Sequence, residues 1–543
     1  MALLSPALAA AALALACVVY VVRQLLLSGL RRAPGPWHTL LTGAALRWHE
    51  FHGNRTRYVH HLHLRHGPVV RLGPNELAFA STEAAREIYC SGGSGYDKTE
   101  FYNLFTVYGR RTMFSTLNKE DHAKKKRILA DRYANSNVMR QPALAGIQQC
   151  ARNFADLCGA SVGKSLDIYI GMCICPSAAF TPSMISYASQ PTTPPQKKNT
   201  ALHSYAFDCV THHLFHPFGA SSLRSKADEE VMREVTFDDS LQNRLLKHHS
   251  PTLHALAGRA VAALAGARPR ETPLADRFVL ETTARAKASP FTLLSRMHDR
   301  KKAAVDGEAA RGGGGGLEQV DIAAECCDHM VAGIDTTGDA LCFLMYQLSL
   351  PESVALQRRL QAELKGAQQQ QQQQPDGGTT PTTTTQFDRL PFLDAVVHEG
   401  LRCFPAIPMS LPRYVPAGGR TIDGVFAPAG TVVSCQAYSV HRLNRDVFPR
   451  PETFDPDRWL RPEGDAARRR HMFAFSNGGR GCIGKHLALA EMKLLLRDVY
   501  SRFSTAPDPC MTPESMAMSD QLISSRPAGQ RCLLRFIPLE DHA

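Results

Sequence analysis

The chain has 543 residues, 44% of them hydrophobic and 21% charged, a balance that supports a packed core and excludes global disorder. Its 15 cysteines are scattered with no short repeated spacing, which excludes a secreted disulfide framework and a zinc ribbon and favours a reducing compartment. The net charge of +12 comes from dispersed basic residues without a nucleic-acid-binding signature, so acidic lipid or an acidic protein partner accounts for it better than nucleic acid does.

From Ala2 to Val22 the sequence is almost unbroken Ala, Leu and Val, long enough as a helix to cross a hydrocarbon core of about 30 Å. A cleaved signal peptide is the competing reading, but no Lys or Arg precedes the apolar run and the run exceeds a normal signal core. Arg23, Arg31 and Arg32 come after it, which places everything after about residue 30 on the cytosolic side and leaves the sequon Asn54-Arg55-Thr56 unused. Pro34-Gly35-Pro36 reads as a stiff break between an anchor over residues 1–29 and a body over residues 30–543.

Val69-Val70-Arg71-Leu72 and Leu77-Ala78-Phe79-Ala80, separated by Gly73-Pro74-Asn75, predict a strand, a turn and a strand. Most of the chain beyond Ala80 has helical apolar spacing, as in Leu341, Leu344, Met345 and Leu348, with short β-prone pieces such as Thr431-Val432-Val433. Two low-complexity stretches, near residues 306–316 and 366–386, predict solvated insertions within one domain.

Near the C-terminus, Phe475-Ser476-Asn477-Gly478-Gly479-Arg480-Gly481-Cys482-Ile483-Gly484 leads into an apolar helix. A cysteine at a helix N-terminus can be kept as a thiolate by unpaired backbone amides. Gly478, Gly481 and Gly484 let backbone pass close to a flat ligand, and Arg480 can pair with a carboxylate. A lone cysteine is usually a small buried hydrophobe, but Phe, Gly, Arg, Cys and Gly at these offsets resemble the haem-binding signature of cytochromes P450. Ala332-Gly333-Ile334-Asp335-Thr336-Thr337, inside an apolar helical run that begins near Asp321, resembles the oxygen-pocket motif of the same family. There Thr336, four residues after Ala332, can compete for its carbonyl, and Gly333 leaves room for a small ligand. Glu399-Gly400-Leu401-Arg402 and Phe454-Asp455-Pro456-Asp457-Arg458-Trp459 resemble the segments that supply a buried Glu399, Arg402 and Arg458 triad, structural rather than catalytic.

The resemblance covers nearly the whole body and implies a mainly α fold with a minor β-sheet, one cytochrome P450 domain behind an N-terminal transmembrane helix. It implies haem b (iron protoporphyrin IX) with Cys482 as the iron ligand, framed by Phe475 and Gly484. Arg480, Arg413, and His122 with Lys126 would meet the haem propionates, although His122 and Lys126 depart from the family's usual tryptophan and arginine, and a lysine lacks the bidentate fork. Asp335 and Thr336 are assigned proton delivery during oxygen activation.

The same resemblance implies a monooxygenase that takes two electrons from NADPH through a separate NADPH–cytochrome P450 reductase and oxidises a small apolar organic substrate. Lys124, Lys125, Arg132 and Lys485 are candidates for the reductase-docking face. The expected location is the endoplasmic reticulum membrane, single-pass, with the body cytosolic. The anchor, the insertions and Tyr133-Ala134-Asn135-Ser136-Asn137 look like filamentous-fungal members, which suggests a tailoring step on a polyketide, terpenoid or alkaloid. A housekeeping sterol or fatty-acid hydroxylase is the alternative within that activity. A haem-thiolate isomerase or dehydratase would need neither Asp335 nor Thr336, and a non-catalytic haem-binding sensor or adaptor would need neither them nor an open pocket.

Overall fold

The structure, a computed structural model, describes residues 6–169, 201–236, 240–265, 272–285, 287–305, 317–372 and 386–540. The N-terminal apolar run forms α1, Pro6–Leu27, whose leucines and all valines but Val21 are exposed. The sequence places the end of this run at Val22, but nothing breaks a helix until Ser28 and Gly29, so α1 passes through Arg23 and Gln24. Its window Ala10–Leu27 is the only helix among the described residues long and apolar enough to cross a membrane.

The Pro34-Gly35-Pro36 segment is docked rather than free-standing. Arg71, 3% exposed, donates from Nη1 to Leu30 O (2.9 Å) and Ala33 O (2.6 Å), from Nη2 to Pro36 O (3.2 Å) and from Nε to Thr39 Oγ1 (3.0 Å). A buried guanidinium needs all of these acceptors, and they tie the chain leaving α1 to the first strand.

Short, nearly continuous buried runs build a four-stranded sheet from β1 (Val69–Gly73), β2 (Glu76–Phe79), β3 (Arg413–Tyr414) and β4 (Val432–Cys435), in the order β1-β2-β4-β3. β2 and β4 are parallel with Leu77 opposite Val433, and β3 is antiparallel to β4 with Arg413 opposite Val433. That register brings the start of the sheet, from the first hundred residues, beside a strand more than three hundred residues later. Three smaller sheets, two of two strands and one of three, complete the strands among the described residues, and the protein is mainly helical.

The helices that matter for the site are α2 (Lys119–Tyr133), α3 (Gln141–Ala160), α4 (Ala201–Phe215), α5 (Gln319–Ser349), α6 (Pro391–Cys403) and α7 (Lys485–Tyr500). α5 is 31 residues long and starts with a reciprocal capping box between Glu318 and Asp321. Almost every residue of α4 is buried, so α4 is an interior helix packed along α5. Gly333 and Gly338 set that closeness. A Cβ on Gly333 would stand 2.6 Å from Val210 Cγ2, and one on Gly338 would stand 3.1 Å from His203. The glycine of the Ala332–Thr337 motif thus meets a packing demand, and it also lines the cavity described below.

The insertion near 306–316 lies outside the described residues. Of the second, residues 366–372 continue the helix Val354–Gln372, and only 373–385 lie outside. Glutamine is a good helix former, and extending a nucleated helix costs little, so the start of the Gln run is helical rather than loop.

Candidate functional site

A cavity of about 350 Å³ is lined by Ala332, Asp335 and Thr336 of α5, by Arg413 of β3, by His122 of α2, and by Phe475 through Gly484 apart from the three residues Asn477, Gly478 and Gly479. A second cavity, about 370 Å³, lies beside β1 and β2 among Glu50, Arg55, His248 and His249; it shares Leu241, Met409, Gln521 and Leu522 with the first and contains none of the motif residues.

The cysteine loop is fixed by its backbone. Gly478 has φ 73°, and a Cβ there would stand 2.1 Å from Tyr89 O, so only glycine fits. Gly481 N–H donates to Gly478 O (3.0 Å) and Cys482 N–H to Phe475 O (2.9 Å). Gly484, two residues later, is the N-cap of α7, which begins at Lys485. Cys482 lies deep in the protein, yet its side chain is exposed because it faces the cavity. Burial raises its thiol pKa, while the N–H groups of Gly484 and Lys485 and the charges of Lys126 and Lys485 act in the opposite direction.

Cations crowd around the same cavity. Arg413 Nη1 donates to Tyr102 Oη (2.6 Å) and Pro412 O (2.9 Å), but its buried Nε has no partner. Arg480 Nε donates to Ser94 O (2.8 Å), and its buried Nη2 has none. Burial, then Arg413, pulls Arg480 down to about 10. His122 is 3% exposed with Nδ1 unpaired, and burial followed by Lys98, Lys126, Arg480 and Arg413 drives it to about 2, which keeps the imidazole neutral. Lys98, which no sequence pattern marks, is 4% exposed and lies over the Tyr102 and Phe114 rings at 4.7 and 5.0 Å. Burial, then Arg413 and Arg480, holds it well below the ordinary lysine range. Among the described residues none of these groups has a carboxylate within 4.0 Å.

Lys126 behaves differently from its sequence expectation. Its Nζ donates to Gly479 O (2.9 Å) and Gly481 O (2.8 Å). It thus clamps the backbone of the cysteine loop, where the sequence points it at a carboxylate, because α2 passes directly beside those carbonyls.

On α5, Thr336 Oγ1 donates to Ala332 O (2.7 Å) while the helix remains continuous. Asp335 Oδ2 is 3.1 Å from Arg526 Nη2. Next to them Thr337 Oγ1 donates to Glu491 Oε2 (3.1 Å), and burial pushes Glu491 on α7 up to about 8.

Behind the loop, Glu399 on α6 is wholly buried. It accepts from Arg402 Nε and Nη2 (2.8 Å each), Arg458 Nε (2.9 Å), Trp459 Nε1 (2.9 Å) and Asp455 N–H (2.9 Å). Burial alone would raise its carboxyl, but the two arginines outweigh that and hold it below the usual range. His441, which belongs to none of the sequence motifs, joins this cluster to the loop: Nδ1 meets Arg402 O (3.0 Å), and Phe473 N–H donates to Nε2 (2.8 Å). Burial, then Arg402, takes His441 down to about 3, so the ring is neutral and can accept at Nε2.

Residues 33–533 match the family profile described as Cytochrome P450. The chain belongs to the cytochrome P450 family. It is 29% identical to cytochrome P450 monooxygenase stcB of Emericella nidulans over 95% of this chain and 90% of that one. It is 27% identical to monooxygenase aflV of Aspergillus parasiticus over 95% and 93%. With monooxygenase cypX of Dothistroma septosporum it shares 27% over 97% and 95%.

Cytochromes P450 are oxidoreductases built around haem b, and the residues here fit that group. A sulfur facing the cavity suits an iron ligand. Cations with buried, unpartnered donors at Arg413 Nε and Arg480 Nη2 suit two propionates. A Cβ on Gly484 would meet only Cys482 Sγ, at 3.9 Å, so the glycine leaves the space above the sulfur open.

Proposed function

We propose that this cytochrome P450 is a membrane-anchored monooxygenase performing a tailoring oxidation on an apolar secondary metabolite, a polyketide, terpenoid or alkaloid. The observation that supports it most is that one cavity is lined both by Cys482 and by the Asp335–Thr336 pair. A haem sensor, isomerase or dehydratase would have no use for that juxtaposition. The fungal relatives and the largely apolar cavity wall support the substrate class.

In this reading α1 anchors the chain in the endoplasmic reticulum membrane and residues 30–543 form one cytosolic catalytic domain. When bound, haem b supplies dioxygen activation and insertion of one oxygen atom into substrate. Cys482 Sγ would hold the iron, its charge favoured by the N–H groups opening α7. Arg413, Arg480 and Lys98 would hold the propionates, with neutral His122 offering Nδ1. Thr336 Oγ1 and Asp335 hold and pass the protons that oxygen cleavage consumes. Phe475 and Gly484, which line the cavity, would frame the group, and Lys126 keeps the loop in register.

Electrons come from a separate NADPH–cytochrome P450 reductase. Lys485, exposed at the start of α7 just after the cysteine loop, suits an acidic partner, and Lys124, exposed and paired with Asp121 (2.9 Å), and the partly exposed Lys125 add positive charge on α2. Arg132 does not belong to that face: its side chain is 16% exposed and engaged with Asp131 and Thr292 O. Reconstitution with a purified reductase and NADPH, paired with metabolite profiling after gene deletion, tests the proposal. Oxygenated product that disappears on deletion supports it, and NADPH-independent turnover contradicts it.

A further inference from the structure

The face that α5 turns to the first cavity includes Asp328, Val331, Ala332, Asp335 and Thr336, a stripe at positions i, i+3, i+4, i+7 and i+8. Although α5 runs through the interior, Val331 is 39% exposed, and Asp328 lies deep in the protein yet keeps part of its surface open, because both face this cavity. The stripe thus carries two acids with Val331 and Ala332 between them. Asp335 is 3.1 Å from Arg526 Nη2. Among the described residues no Lys, Arg or His nitrogen stands within 4.0 Å of the Asp328 carboxylate.

The polar groups around Asp328 are committed elsewhere. Glu325, one turn earlier, accepts from Met113 N–H at Oε1 (2.8 Å), and His329 Nε2 is 3.4 Å from the same oxygen. His329 Nδ1 is 2.6 Å from Tyr133 Oη. Lys98 Nζ donates to Phe114 O (2.6 Å) and belongs to the cations assigned to the propionates. Burial, then Glu325, raises the Asp328 carboxyl to about 6, against the opposing pull of His329, the Thr112 hydroxyl and Lys98, so at neutral pH the group is mainly ionised. Arg244, from the helix Leu241–His249, lines the same cavity, but its charge is not within ion-pair distance of Asp328. An ionised carboxylate facing a largely apolar enclosure is stabilised by a cation that arrives with the ligand.

We propose that Asp328 pairs with a protonated amine nitrogen of the substrate, which makes the substrate an apolar nitrogen base and narrows the three proposed classes to the alkaloid one. This rests on the reading of the cavity as the substrate site of a monooxygenase. An amine held at Asp328 leaves its apolar body to run along Val331 and Ala332 towards Thr336, about 12 Å further along the helix at about 1.5 Å per residue. A neutral polyketide or terpenoid would shield the same carboxylate from water and return nothing to it, so the acid also selects against those substrates.

The test uses the full chain, loaded with haem, as wild type, Asp328→Asn and Asp328→Glu. Three probes share one phenylalkyl body: N,N-dimethyl-4-phenylbutylamine, protonated at pH 7, the neutral N,N-dimethyl-4-phenylbutanamide, and the anion 4-phenylbutanoate. Isothermal titration calorimetry gives each affinity, and the reduced carbon monoxide spectrum of each preparation reports thiolate ligation separately. Wild type should bind the amine about 10-fold or more tighter than the amide, the factor that a hydrogen bond to a charged group supplies, and the anion most weakly. Asp328→Asn should lose about 10-fold on the amine and under about 3-fold on the amide, and Asp328→Glu should keep the preference.

Equal binding of amine and amide by wild type would overturn the pairing, and so would tightest binding of the anion. An amine preference that survives Asp328→Asn would overturn it too, which covers a nitrogen bound through the iron instead. So would equal losses on all three probes, since they would mark Asp328 as a purely structural residue. Should Asp328→Asn load little haem, the wild-type order decides: the amine tightest by that margin supports the pairing, and any other order overturns it. A preparation with the thiolate band but no amine preference overturns the pairing alone, whereas a wild type without the band overturns the monooxygenase reading and the pairing with it.

Discussion

Replacing Arg402 with alanine probes the scaffold that carries the cysteine loop. Arg402 makes two 2.8 Å bonds to Glu399 and also donates to Pro451 O (2.7 Å) and Thr453 O (3.1 Å), all in a fully buried setting. Removing one partner of a buried pair costs about 3–5 kcal/mol. Arg458, Trp459 Nε1 and Asp455 N–H remain on Glu399, which selects the low end, about 3 kcal/mol. Pro451 O loses a donor for about 1 kcal/mol more, giving about 4 kcal/mol out of a typical 5–15. With an unfolding entropy of about 2.1 cal/mol/K per residue over about 500 residues, the melting temperature should drop by about 4 °C. Soluble, haem-loaded yield should fall further, because His441 passes the disturbance to Phe473 at the start of the loop. Differential scanning calorimetry and haem absorbance per milligram check both numbers. An Arg402→Ala protein that melts within about 1 °C of wild type with full haem loading would refute the reasoning, since about 4 kcal/mol cannot hide in that interval.

Thr336→Ala should keep haem but lower product formed per NADPH, with peroxide released instead, because the hydroxyl supplies proton delivery rather than binding; oxygen and NADPH balances measure it. Glu491 gives a pH dependence. Its folded pKa, about 8, lies above the ordinary 4.5, so its favourable contribution is complete below about pH 4.5 and is lost as pH rises toward 8, by about 3 kcal/mol at neutral pH. Glu491→Gln should therefore flatten the decline in melting temperature between pH 6 and pH 8. Deleting residues 1–29 should release the protein from membranes after a high-salt wash while haem content persists, and turnover with membrane-bound reductase should fall through lost co-localisation.

The parts of the site legible in the sequence are those whose chemistry is compressed into a short spacing: Cys482 two residues before Gly484, the N-cap of α7, Thr336 four after Ala332, Arg402 three after Glu399. Lys98, His441, Glu491 and Arg526 escape such a reading because each acts across a long sequence separation from a segment with no pattern of its own, and only the fold brings them together. Lys126 is visible in the sequence but aimed at the wrong acceptor, since spacing along α2 cannot tell a carboxylate from the carbonyls of a loop more than three hundred residues away. Gly333 carries two explanations, space for a ligand and a close helix neighbour, and the structure is compatible with both, since Gly333 packs against Val210 and lines the cavity. The helix running into Gln372 shows the opposite error, in which composition suggests a loop and helix propagation overrides it.

The most direct test of the account is the absorption spectrum of the reduced carbon monoxide complex of purified wild type beside Cys482→Ala. Wild type should show the red-shifted Soret band that thiolate ligation produces, and Cys482→Ala should lack it. A Cys482→Ala protein that keeps that band, or a haem-loaded wild type that never shows it, would contradict the assignment of Cys482 as the iron ligand.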